Sequence, residues 1–208
     1  MSVYYACLAL DWPLSKGALA YDLYEKGAVK PGPLTGEDVK RIARELFQAV
    51  WQTGVGYSLV AGIPHAGEPM AKEFRAFLTD GGSYEAQLFK TGSGESRRIS
   101  AFSATRSGKT EKGQSVLLLD DAISGGDTKW EAIRAVEQAG HHVAAIVVLV
   151  DREQGGSEAL EKRGYKVISV FRLSQLLVFY IVTARIFRTN FEDIMGYLER
   201  SRKIIAAS

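Results

Sequence analysis

Eight consecutive apolar residues, Val143 to Val150, stand between two stretches of helical periodicity, and no polar position interrupts them. A strand with one wet face alternates, so an unbroken run of this kind has to be covered on both sides. Val116 to Leu119 repeats the pattern. Between the two, Ala132, Ile133, Val136 and Ala139 recur at helical spacing up to Gly140. Tyr57 to Ile63, Tyr84 to Phe89 and Lys166 to Phe171 read as further strands, and Pro69 to Leu78 and Ser157 to Lys162 as helices. Strand and helix in alternation predict an α/β fold: a Rossmann-like, mainly parallel sheet of about five strands flanked by helices.

Helices are expected at both ends of the chain. Thr35-Gly-Glu-Asp38 has the spacing of a capping box, and Val39, Ile42, Ala43, Leu46, Phe47, Val50 and Trp51 form one apolar stripe ending at Gly54. Residues 1–56 therefore read as an N-terminal helical segment and residues 173–208 as two C-terminal helices. No linker, repeat or low-complexity stretch divides the 208 residues, which predicts one domain over 1–208. The stretch from Thr91 to Gly113 has no sustained period and is read as a long loop.

Charge and composition exclude several classes. With 26 Lys+Arg against 24 Asp+Glu, the chain is too balanced for a protein that lives on phosphate backbones, so no nucleic-acid partner is expected. The apolar stretch Leu176 to Val182, like every other in the chain, is too short to span a bilayer, and the N-terminus lacks a secretory pattern, which predicts a cytoplasmic protein with no membrane partner. Cys7 is the only cysteine, and His65, His141 and His142 have no ligand spacing, so no protein-built metal cage is expected. The basic residues are not evenly spread: between Lys90 and Lys112 lie Lys90, Arg97, Arg98, Arg106, Lys109 and Lys112 against only Glu95 and Glu111.

Parallel sheets bind ligands beyond the carboxyl ends of their strands. After Val116–Leu119 comes Asp120-Asp121-Ala122-Ile123-Ser124-Gly125-Gly126-Asp127-Thr128. Amides at a helix start, approached closely past Gly125 and Gly126, suit a phosphate, and Ser124 and Thr128 add hydroxyl donors. Two carboxylates beside such a cradle suit vicinal hydroxyls, so the pair predicts a sugar phosphate. Strand-end solvation and helix capping would explain Asp120-Asp121 alone.

The whole of residues 116–128 resembles the phosphoribosyl diphosphate (PRPP) motif of type I phosphoribosyltransferases. The resemblance implies that Asp120 and Asp121 hold the ribose hydroxyls, that residues 120–128 bind PRPP, and that Ser124 to Thr128 take the 5′-phosphate. Asp127 departs from the pattern, because a carboxylate in the turn repels the ligand. Pro64-His65-Ala66-Gly67, after an earlier strand, is similar to the family's pyrophosphate loop. Asp151-Arg152-Glu153-Gln154-Gly155-Gly156 is similar to the Asp-Arg-x-Glu-Gly signature of the orotate phosphoribosyltransferases, in which the arginine reads the pyrimidine base; Arg152, with Ser124, is the implied base contact. A guanidinium pairs two-pronged with planar acceptors, which fits that role.

The resemblance begins at Leu23-Tyr-Glu-Lys-Gly-Ala-Val-Lys30 and runs into the terminal helices, with two departures. The family's Phe-x-Leu-x-Ser-Gly hood strand is missing after Gly32, and the basic lid carries no histidine. Taken together it implies transfer of phosphoribosyl from PRPP to a pyrimidine base, orotate foremost, giving orotidine 5′-monophosphate and pyrophosphate in pyrimidine biosynthesis. Mg²⁺ is the implied cofactor, held mainly by PRPP oxygens, and a homodimer the implied assembly. Lys90, Arg97 and Arg98 are the expected catalytic cations, closing on pyrophosphate as its charge grows. Two alternatives stand beside this: a non-catalytic PRPP-sensing regulator of the same fold, and a phosphoribosyltransferase for another base. A nucleotide-binding P-loop at Gly108-Lys109-Thr110 is set aside, since Ser103 stands where that motif needs glycine.

Overall fold

The apolar runs fold as they do because each strand divides its side chains between two cores. In the computed structural model, which describes residues 35–78, 84–92, 98–106, 109–110 and 112–206, β5 (Ser115–Ile123) lies inside a parallel sheet. It pairs with β1 (Leu59–Gly62) on one side and β6 (His142–Asp151) on the other, and β7 (Val167–Arg172) closes the order β1-β5-β6-β7. Leu117, Leu119, Ala145 and Val147 enter the core on one face, and Val116, Leu118, Ile146 and Val148 enter the core on the other. Period-two geometry acting on a sequence with no polar position thus gives a sheet buried on both sides.

The first core is closed by α1 (Gly36–Thr53), α2 (Gly67–Arg75), α5 (Leu173–Val182) and α6 (Arg188–Ala206), through Leu46, Phe74, Tyr180 and Leu198 among others. The expected capping box starts α1: Thr35 N donates to Asp38 Oδ2 at 2.9 Å and Asp38 N to Thr35 Oγ1 at 3.3 Å. Gly54 ends it in the left-handed region at φ 64°. The second core is closed by α3 (Asp127–Gln138), α4 (Gly156–Glu161) and a hairpin of β2 (Tyr84–Thr91) and β3 (Arg98–Arg106).

Two expectations change. The parallel sheet has four strands, because Tyr84–Thr91 joins β3 and β4 (Lys109–Thr110) in a separate antiparallel sheet. The stretch from Thr91 to Gly113 is accordingly not one long loop. Its alternation is broken by a register shift between Phe89 and Lys90, where Phe89 faces Ala101 and Lys90 faces Ile99. Ile99, Phe102 and Ala104 are buried with exposed residues between them, so the extra residue at the bulge hides a strand period from the sequence. Residues 1–34, including the hood segment and Cys7, lie outside the described residues.

Candidate active site

Three turns gather at the carboxyl edge of the parallel sheet, and glycines let them touch. After β1 the chain folds back on β5: Ile63 N donates to Leu119 O at 2.8 Å and Gly67 N to Ile63 O at 2.9 Å. A β-carbon on Gly62 would collide with the Gly67 carbonyl, and one on Gly67 with the Leu119 carbonyl. Pro64 is buried, while His65 and Ala66 face solvent, and the Pro64-His65 peptide is cis. Lys90, at the end of β2, reaches in from the hairpin and donates to Pro64 O at 2.9 Å.

The two acids of β5 are not equivalent. Asp120 is 6% exposed, and both of its oxygens are used inside the protein: Oδ1 accepts from Asp121 N at 2.9 Å and Oδ2 from Lys129 Nζ at 2.6 Å. Lys129, itself 7% exposed, also donates to the Ala122 carbonyl. Burial pushes the Asp120 carboxyl up to about 6 against the opposing pull of Lys129. Asp121 is exposed, and its Oδ1 accepts from Ala122 N at 2.7 Å. The outward acid is thus Asp121, and Asp120 is its buried neighbour.

Beyond Ile123, Ser124-Gly125-Gly126 turns into α3, with Gly126 as N-cap at φ 91°. The turn leaves the first helical amides pointing outward beside Thr128, the arrangement that favours an anion. Asp127 is exposed at the first helical position, with Oδ2 3.6 Å from where a β-carbon on Gly125 would stand.

The turn after β6 packs against the back of this one. Arg152 N donates to Ile123 O at 2.9 Å and Gly156 N to Ser124 O at 2.8 Å. A β-carbon on Gly156 would strike the Ser124 carbonyl and lie 2.8 Å from Gly126 N. Arg152, half-buried, is thereby held next to the Ser124–Thr128 turn, with Asp151 opposite Ile123 in the sheet register. Burial raises the Asp151 carboxyl above its ordinary value, and its Oδ1 accepts from Glu153 N at 2.7 Å.

Lys90, Arg98, Asp127 and Thr128 line one open cleft of about 800 Å³ between the hairpin and α3. Arg98 is anchored at the cleft wall, its Nε 3.1 Å from Glu131 Oε1, and Ile99 N donates to Glu131 Oε2 at 3.0 Å. Arg97 lies outside the described residues. The structure therefore brings together the turns at 64–67, 120–128 and 152, with Lys90 and Arg98 at the rim. Sequence reasoning passed over Lys129 and Glu131. A signal existed for Lys129: a cation in the first turn of a helix opposes the helix dipole, so a lysine there asks for a local anion. Among the described residues no group of three or more His, Cys, Asp or Glu is placed to hold a metal.

Comparison with known proteins gives the family. The family model described as the phosphoribosyl transferase domain matches residues 26–173. The chain is 26% identical over 173 residues to uridine 5′-monophosphate synthase of Bos taurus, covering 81% of this chain but only 33% of that longer protein. It is 27% identical over 177 residues to orotate phosphoribosyltransferase of Marinobacter nauticus, covering 80% and 79% of the two chains. The solved UMP synthase of Leishmania donovani superposes with a TM-score of 0.61 at 26% identity, over 85% of this chain and 38% of that one. With its PRPP-type turn, its glycine-locked neighbours and a family match over most of its length, the chain belongs to the phosphoribosyl transferase domain family.

Proposed function

We propose that this chain, acting as one transferase domain, moves phosphoribosyl from PRPP to orotate, giving orotidine 5′-monophosphate and pyrophosphate for pyrimidine synthesis. The observation that carries the reading is the back-to-back packing of the Ser124–Gly126 turn and the Arg152–Gly156 turn, joined by the 2.8 Å bond from Gly156 N to Ser124 O. It fixes the backbone of the Ser124–Gly126 turn against the backbone that carries Arg152, which supports a phosphate cradle and a base-reading arginine side by side, as a sugar phosphate with an acidic base attached requires. Relatives named for orotate and UMP synthesis support the same choice of base.

The chemistry follows from the charges. The bond between ribose C1 and the pyrophosphate oxygen breaks, the ribose becomes cationic, and a ring nitrogen of the base forms the new bond to C1. Asp121 accepts hydrogen bonds from the ribose hydroxyls, and Asp120, fixed by Lys129, holds the strand end that presents it. Amides of residues 124–128 take the 5′-phosphate. The 64–67 turn faces the departing pyrophosphate, with Lys90 and Arg98 at the rim to stabilise its growing charge. Arg152 pairs with the base carboxylate. A hard cation suits this donor set, in which one outward carboxylate, Asp121, leaves most ligand positions to substrate phosphates and water. When bound, Mg²⁺ would supply charge neutralisation on pyrophosphate. A homodimer and a cytoplasmic place of action accompany this reading through the family resemblance.

The test is pyrophosphate release with PRPP, Mg²⁺ and each of orotate, uracil, hypoxanthine and adenine. Release with orotate alone is expected. Release only with a purine moves the assignment to another base, and PRPP binding with no release from any base would make the chain a sensor of PRPP.

A further inference from the structure

Glu153 has φ 56°, one of two non-glycine residues in the left-handed region among the described residues. A bulky L side chain is kept there only when its surroundings over-determine it. Four bonds do so. Glu153 N donates to Asp151 Oδ1 at 2.7 Å, and Glu153 Oε2 accepts from Ser174 N at 2.6 Å. The other two come from Arg202 on α6: its Nε donates to Glu153 O at 2.6 Å, and its Nη2 lies 3.1 Å from Glu153 Oε1. A single guanidinium thus grips the backbone and the side chain of the same strained residue.

The rest of α6 follows the same line. The Tyr197 hydroxyl accepts from Gln154 Nε2 at 3.1 Å. Ile205 Cγ2 stands 3.2 Å from where a β-carbon on Gly155 would lie, and Ile205 Cδ1 3.4 Å from that on Gly125. The C-terminal helix therefore touches the Arg152 turn at three successive residues and the phosphate turn at one. Glu153 follows Arg152 directly, so its backbone angle sets the direction in which the chain leaves Arg152.

We propose that Arg202 is a positioning residue for the base subsite: it locks Glu153 in the left-handed conformation and so aims Arg152 at the base. This rests on the reading of Arg152 given above. A plain stabilising ion pair would behave differently, since it would weaken the fold and both substrate sites together.

The experiment measures KM for orotate and for PRPP, with kcat, in the parent, Arg152→Ala, Arg202→Ala, Arg202→Lys and the Arg152→Ala/Arg202→Ala double variant, with a melting curve for each. Arg202→Ala should raise KM for orotate by about tenfold, the scale of a misplaced positioning group, and leave KM for PRPP within about twofold. Arg202→Lys keeps the charge and loses the two-point fork, so it should resemble Arg202→Ala. Because Arg202 acts through Arg152, the double variant should be no worse for orotate than Arg152→Ala. Backbone amides of residues 151–156 should exchange faster in Arg202→Ala.

Equal rises in both KM values, full rescue by lysine, or independent addition in the double variant would overturn the proposal. So would a lower melting temperature with unchanged KM for orotate. If Arg152→Ala raises KM for orotate and Arg202→Ala does not, the positioning role alone is wrong. If Arg152→Ala leaves it unchanged, the base-reading role of Arg152 is what fails, and the proposed aim of Arg202 falls with it.

Discussion

The turns at the edge of the parallel sheet and the β2–β3 hairpin meet at one cleft, lined by Asp127 and Thr128 from the first and by Lys90 and Arg98 from the second, yet they are built in opposite ways. At the sheet edge, backbone bonds join one turn to the next, and glycines at 62, 67 and 156 leave no space for a side chain. The hairpin meets the same cleft through long cations, Lys90 on Pro64 O and Arg98 on Glu131. A cradle made of backbone is preorganised and costs little to hold ready, whereas a lysine or arginine contact is easily exchanged for a ligand contact. Ground-state binding should therefore depend on the sheet edge, and turnover on the hairpin.

The largest effect expected at the sheet edge comes from Lys129. Lys129→Met leaves the Asp120 carboxylate buried without its counter-ion and should lower unfolding free energy by about 3–5 kcal/mol near pH 8, read from urea melts. The sign with pH is specific. Burial raises Asp120 above its unfolded value, so its ionisation opposes folding, and stability present below pH 4 is lost as pH rises through about 6. Removing Lys129 raises the carboxyl further, so the deficit should be small at pH 5 and grow toward pH 8. A deficit that does not change with pH would mean that Lys129 matters only as packing.

For the hairpin the corresponding test is kinetic. Neutralising Lys90 or Arg98 singly, as Lys90→Met or Arg98→Met, should lower kcat by about 10²-fold for at least one of them, the scale of a lost transition-state donor. PRPP binding measured by calorimetry should suffer less. If PRPP affinity falls as much as kcat in both variants, the hairpin is part of the cradle and the contrast between the two regions disappears. Gly156→Ala supplies the opposite case. The added carbon forces the Ser124 carbonyl to move, and overpacking of this kind costs about 1–3 kcal/mol. PRPP affinity should fall while kcat at saturation is largely kept.

How much of this could be read from the sequence follows the same division. The β5 and β6 runs declare themselves because every position is apolar and nearly all are buried, and the acids and glycines that follow are short-range patterns tied to one strand end each. Of the hairpin, β2 declares itself and β3 does not, since the bulge opposite Phe89/Lys90 breaks its period and Arg98, Ser100 and Ser103 are exposed. The unequal roles of Asp120 and Asp121 were legible only in part, since Lys129 in the first turn of α3 asks for an anion without saying which carboxylate answers. They depend on Lys129 folding back across a turn, and on alternation that points one carboxylate inward and the next outward. The grip of Arg202 on Glu153 spans 49 residues and has no local signature at all.

Asp127 gives the smallest expected effect and tests the cradle most directly. It stands at the first position of α3, where a carboxylate is favourable to the helix dipole but occupies the same field that would draw in a phosphate. Its Oδ2 lies 3.6 Å from the β-carbon position of Gly125, close over the turn. Two like charges about 4 Å apart repel by roughly 1 kcal/mol in water and about 4 kcal/mol near a protein surface. The side chain is exposed, so the lower figure applies. Asp127→Asn keeps the shape and removes the charge, and it should tighten PRPP binding by about fivefold to tenfold at low ionic strength, with the gain shrinking as salt screens it. Asp127→Gly should tighten it no further, because the gain comes from charge and not from space. Should Asp127→Asn instead weaken binding, the carboxylate assists the ligand, through a hydroxyl or through Mg²⁺, and the acid in the turn becomes part of the recognition surface.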